Sequence, residues 1–208
     1  MTGGRLSLRA RGRAGGHIPY VIPFLLAFLE RTVFDLGPNY ELLTAAMILS
    51  SYFINRKSTF LLTLLVIAFS DRIIGNSKIF LFTWTGFLLP ALFASPILRY
   101  LYTKYSILHT KILPLTLTLT GVSANLFFFI YTNLGVWLLD SWGMYTKDLS
   151  GLILCYINGL PFLKNQIVSS LIFIPMGFVL INIALAFYRK FIFEKKYHLD
   201  PNNRLHHI

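Results

Sequence analysis

Residues 126–165 read LFFFIYTNLGVWLLDSWGMYTKDLSGLILCYINGLPFLKN, and this stretch decides how the rest of the chain is read. It leaves an apolar run through Thr132-Asn133-Leu134-Gly135-Val136-Trp137 and enters an acidic, aromatic turn. The spacing then predicts a short amphipathic helix over 146–160, ended by Gly159-Leu160-Pro161 ahead of another long apolar run. Polar side chains this deep in apolar sequence are costly to bury, so they imply tight packing or a ligand.

Working outward, the composition sets the solvent. The chain has 208 residues, is 55% hydrophobic and 16% aromatic, and its apolar runs approach the about 20 residues that a helix needs to cross a bilayer. One compact all-α membrane bundle is the expectation for this length. The single cysteine, Cys155, excludes an internal disulfide framework. A formal net charge of +11 could suggest nucleic acid, but the basic residues cluster at the ends of apolar segments, which reads as topology.

Taken in order, residues 1–16 form a basic tail expected to be disordered and cytoplasmic, 17–192 a six-helix transmembrane domain, and 193–208 a second basic cytoplasmic tail. Six spans are expected near 18–34, 41–55, 58–75, 79–98, 112–139 and 165–188. The adjacent charges Glu30 and Arg31 cannot share one α-helix face and read as a membrane exit. Ala46 and Ser50 form a small-xxx-small face, suited to packing inside the bundle or to docking a partner. In the third segment Asp71 lies either inside the outer membrane region or at the end of a shallow hairpin. The fourth carries Pro90, and the fifth has 28 uncharged residues between Lys111 and Asp140, enough to tilt or to project above the bilayer.

Six spans put both termini on one side. That side then holds 14 Lys/Arg against two acids, and the other holds five against six, in keeping with the +11 of the whole. The positive-inside rule places the termini in the cytoplasm of a multi-pass protein of the bacterial inner membrane.

Catalytic patterns are absent from the sequence. The five histidines sit at predicted ends or tails, and there is neither a P-loop nor a dinucleotide fingerprint. No enzyme, metal or cofactor is expected. What remains is a polar and aromatic set at the outer end: Asn39, Asp71, Arg72, Thr132, Asn133, Trp137, Trp142, Tyr145, Lys147, Tyr156 and Asn158. Trp137 and Trp142 suit an aromatic belt as well as ligand stacking, and Asn133 suits an interhelical hydrogen bond as well as a solute. Their convergence on one leaflet favours a solute pocket with apolar walls and a few polar anchors.

Thr132-Asn133-x-Gly135-Val136-Trp137, Met144-Tyr145-x-Lys147, Gly151-Leu152-x-x-Cys155-Tyr156, Gly159-x-Pro161-Phe162 and Lys164-Asn165 together resemble a bacterial membrane family. It comprises the substrate-binding (S) components of energy-coupling factor (ECF) vitamin transporters. The resemblance covers about residues 38–180. It implies six helices that capture a vitamin or similar micronutrient from outside, then dock on a transmembrane coupling subunit with two ATPases. The solute-binding residues expected from the sequence are Asn39, Asp71, Arg72, Asn133, Trp137, Tyr145, Lys147, Tyr156 and Asn158, with Ala46 and Ser50 as the candidate partner-docking face. The chain differs from the family pattern at Glu41-Leu42 and Ser50-Ser51, and its first segment offers only Pro23 and Ala27 where a docking motif belongs. The alternative is a non-transporting membrane scaffold of the rod-shape-determining MreD type, of similar architecture. A filled outer face would fit the scaffold, and an open pocket would fit uptake.

Overall fold

The computed structural model describes residues 18–34, 36–37, 39–75, 78–104, 112–140 and 143–199, which form helices and connecting turns with no strand among them. Helix α1 (Ile18–Leu29) continues into a π-helical turn, Glu30–Phe34. Then follow α2 (Leu43–Phe53), α3 (Arg56–Ile74), α4 (Phe80–Lys104), α5 (Leu113–Leu139) and α6 (Leu149–Leu199).

Local chemistry sets several of these boundaries. Asn55 opens α3, its side chain accepting from the Ser58 N–H at 2.9 Å, which satisfies one of the orphan donors of the first turn. Gly75 closes the same helix at φ +79°, a left-handed conformation that glycine adopts without penalty. Asp148 precedes α6 and accepts from the Gly151 N–H at 2.8 Å.

The bundle is built around its shortest helix. Ten of the 11 residues of α2 are buried, and it packs against all five other helices. On one side Met47, Ile48 and Leu49 meet Ala91, Leu117 and Ile174; on the other Leu43 and Ala46 meet Phe24, Val66 and Phe87. The α2–α3 contact is lined with small polar groups, and Ser50 lies 3.1 Å from the Thr59 hydroxyl. Ala46 and Ser50 are therefore inside the bundle, 2% and 3% exposed, and their small-residue face is occupied by neighbouring helices rather than open to a partner.

Three helical stretches are long and apolar enough to cross a membrane: Phe80–Leu101, Leu113–Leu139 and Leu149–Phe191. The outer surface is correspondingly greasy. Leu25, Phe69, Leu81, Leu119, Leu171 and Phe187 are each about half exposed or more, a density of exposed apolar side chains that marks a lipid-facing surface. Length, composition and surface of these helices suggest a helical membrane protein.

One expectation is corrected. The separate short helix over 146–160 does not exist, because α6 runs unbroken from Leu149 through Gly159, Pro161 and Pro175 to Leu199. Gly159 is not a terminator. A Cβ there would sit 2.6 Å from Asn133 Oδ1 and 2.8 Å from Phe129, so glycine lets α6 lie close against α5. A membrane helix tolerates the proline that follows because the surrounding bundle supports it. Residues 193–199, read as part of the basic tail, continue α6. Residues 1–16, 200–208 and Trp142 lie outside the described residues.

Candidate functional site

The bundle contains an ionic cluster whose members come from widely separated segments of the sequence. Glu30 and Arg31 are sequence neighbours, yet both turn inward. The π-helical turn they begin winds wider than an α-helix, which lifts the rule that i and i+1 face apart. Glu30, 5% exposed, accepts from the Leu42 N–H at 3.3 Å. Arg31 donates from Nε to Ser70 Oγ and from a terminal nitrogen to Asp71 Oδ1, both at 2.9 Å. Its other terminal nitrogen lies 3.6 Å from Glu41 Oε2, and its guanidinium sits over the Phe87 ring at 5.7 Å. Trp84 Nε1 donates to the second oxygen of Asp71 at 2.7 Å. Asp71 is thus buried inside the bundle, near the C-terminal end of α3.

From Glu41 the polar connections cross the bundle. The Glu41 N–H donates to Ser169 Oγ at 3.1 Å. The Thr44 hydroxyl donates to Asn125 Oδ1 at 2.9 Å, and Asn125 Nδ2 donates to the Gln166 carbonyl and to Ser170 Oγ, each at 2.8 Å. All six helices contribute. The signal for Asn125 is a lone amide inside an apolar run; for Glu30 and Arg31 no periodicity pattern anticipates a π turn.

A second group occupies the α5–α6 corner. Asn133 Nδ2 donates to the Phe129 carbonyl one turn back at 2.8 Å, and Cys155 Sγ lies 3.4 Å from the Asn133 carbonyl. Trp137 Nε1 donates to the Thr146 carbonyl at 2.9 Å. Lys147 places its ammonium 5.7 Å from the Trp137 ring centroid and donates to the Trp137 and Leu138 carbonyls, capping the C-terminal end of α5. Tyr156 donates to the Ile130 carbonyl at 2.9 Å, and Asn158 reaches the Tyr145 hydroxyl at 3.4 Å.

The structure therefore brings Asn133, Trp137, Tyr145, Lys147, Tyr156 and Asn158 to one corner and Asp71 to the ionic cluster. Arg72 is exposed, one position past the inward-facing Asp71, and Asn39 sits exposed in a turn at φ +58°. Neither joins either group through a hydrogen bond or ion pair among the described residues. Between cluster and corner, Phe87 and Phe128 pack with ring centroids 4.4 Å apart, and Gly86 and Gly135 let α4 and α5 approach. Among the described residues no three His, Cys, Asp or Glu side chains are grouped to hold a metal ion.

No curated protein and no solved structure matches the chain. Residues 17–193 match the model of a family of unknown function, DUF6580, and since that stretch is most of the sequence, the chain belongs to this family.

Proposed function

We propose that this protein captures a small solute at the outer face of the bacterial inner membrane, in the manner of the S component of a micronutrient transporter. The observation that carries the reading is the ionic cluster. Glu30, Glu41 and Asp71 are each buried to more than nine-tenths around Arg31, inside a helical membrane protein. Ionisable groups at such depth are expensive and mark solute or ion paths by default. The π turn beside them supports the same reading, since such turns recur at functional sites.

In this proposal the chain crosses the membrane six times, with both termini cytoplasmic. α2 is short because it is enclosed by the other five helices, and α3 tolerates Asp71 because Arg31 of α1 neutralises it. Arg31, Glu41, Asp71 and Asn125 meet the polar part of the solute, with Trp84, Phe87 and Phe128 as apolar walls. The corner built on Asn133, Trp137, Lys147 and Tyr156 frames the entrance, with Tyr145, Asn158, Arg72 and Asn39 toward its rim. A transmembrane coupling subunit with ATPases supplies the energy.

A second reading, a non-transporting scaffold of the MreD type, has its own support. The corner residues satisfy one another, and so do those of the cluster, as a filled outer face would require. Native mass spectrometry of the full-length protein in gently removed detergent separates the two. A bound small molecule that is retained by wild type and lost in Glu41→Gln carries the uptake reading. Wild type and Glu41→Gln both free of small molecules, with equal thermal stability, would sink it and leave the scaffold.

A further inference from the structure

A groove of about 580 Å³ opens between α4 and α5 on the inner half of the bundle, away from the ionic cluster. Its α4 wall is Pro90, Phe93, Ile97 and Leu101, and its α5 wall includes Leu119 and Phe127. Three hydroxyls also line it, but each is turned back to its own helix: Thr116 donates to the Ile112 carbonyl, Thr120 to that of Thr116 and Ser123 to that of Leu119. The groove therefore presents methyl and methylene groups and offers no spare donor to a polar ligand.

Its inner end has the opposite character. The α4 stripe Phe93, Ile97, Leu101 continues three residues on to Lys104, on the same helix face. Lys104 donates to the Tyr100 hydroxyl at 2.9 Å and lies 5.3 Å from its ring centroid, so an ammonium and an exposed tyrosine stand together at the mouth.

We infer that this groove holds an anionic phospholipid, its acyl chain between α4 and α5 and its headgroup phosphate at Lys104. The charge is complementary, the long apolar slot ends at a tyrosine and a lysine suited to the membrane interface, and the greasy surface around it already faces lipid. The inference does not depend on the uptake reading.

The test uses full-length protein incorporated into nanodiscs of phosphatidylglycerol or phosphatidylcholine with the same acyl chains, then released and weighed intact. Wild type is expected to retain phosphatidylglycerol in preference to phosphatidylcholine. Lys104→Gln should cut that preference about fivefold, the worth of one basic residue at an anionic surface. Ser123→Phe, which fills the slot from an exposed lining position, should lose both lipids while leaving the unfolding temperature in detergent unchanged. Equal retention of the two lipids by wild type would overturn the headgroup assignment, and undiminished retention in Ser123→Phe would overturn the groove.

Discussion

Arg31 and Asp71, forty positions apart, meet at 2.9 Å, and the remaining oxygen of Asp71 is held by Trp84, so one carboxylate ties α1, α3 and α4 together. In an apolar surrounding the pair is worth less than the damage done by breaking it, because the survivor is left as an uncompensated buried charge. Asp71→Ala is expected to cost about 3–5 kcal/mol, and Asp71→Asn less, since the amide oxygen still accepts from Trp84 or Arg31. Arg72→Ala, on the exposed side of the same turn, should stay within about 0.5 kcal/mol of wild type. Thermal unfolding in detergent reads the order, and similar losses for Asp71→Ala and Arg72→Ala would deny the pair its role.

The α5–α6 seam depends on absent side chains. A Cβ at Gly159 meets Asn133 and Phe129, and one at Gly135 would lie 2.2 Å from the Phe82 ring of α4. Gly135→Ala and Gly159→Ala should each destabilise by about 1–3 kcal/mol through overpacking. The Phe82→Leu background should recover much of the Gly135→Ala loss and none of that from Gly159→Ala. Recovery of both, or of neither, contradicts the assigned contacts.

The helical class and the approximate helix positions were legible because apolar runs and their polar breaks are local. The reading over 58–75 sits within two residues of α3, and that over 112–139 within one of α5. Gly159-Leu160-Pro161 misled for a physical reason. The same dipeptides that end a helix in water serve close approach in a packed membrane pair, and only the neighbour decides. The corner residues were found because they crowd one short stretch. The ionic cluster was not, because its members come from different helices and Glu30/Arg31 turn inward through a π turn that no 3.6-residue pattern reveals.

Orientation is testable independently of the site. The basic residues divide 14 to five across the proposed six spans, an asymmetry that should hold both termini in the cytoplasm. A reporter active only outside the cytoplasm, fused at Ile208, is expected to be silent. The same reporter inserted in the 140–148 turn should be active, and the reverse pattern would invert the topology.

Asp148 predicts a local pH response at the start of α6. The Gly151 N–H and then the Thr146 and Ser150 hydroxyls hold its carboxyl down to about 2, against an ordinary value of 3.8. A depressed carboxylate contributes stability that is complete above the unfolded value and is lost as pH falls toward the folded one. Amide exchange at residues 149–152 should therefore rise as pH drops from about 4 to about 2, after correction for intrinsic rates. Asp148→Asn should remove the pH dependence while keeping an acceptor for the cap. A wild-type profile that matches Asp148→Asn would show that the carboxylate charge is irrelevant there.

Trp137 and Glu41 should separate framing from binding. Trp137 spends its only donor on the Thr146 carbonyl and receives the Lys147 ammonium near its ring, so its polar capacity is used in closing the corner. Glu41 stands in the polar path from Arg31 to Ser169, where a solute replacing one of those partners would be felt directly. Trp137→Phe keeps the ring and loses one hydrogen bond, a loss of about 1 kcal/mol in baseline stability. The stabilisation added by a co-purified solute should be unchanged in that variant. Glu41→Gln keeps the shape and loses the charge, so it should weaken the solute roughly tenfold or more. Asn133→Ala should behave as Trp137→Phe does, since its amide is bonded to its own helix. A thermal-shift titration decides. If Trp137→Phe and Asn133→Ala abolish the solute-induced shift while Glu41→Gln preserves it, the binding site lies in the α5–α6 corner and not in the ionic cluster.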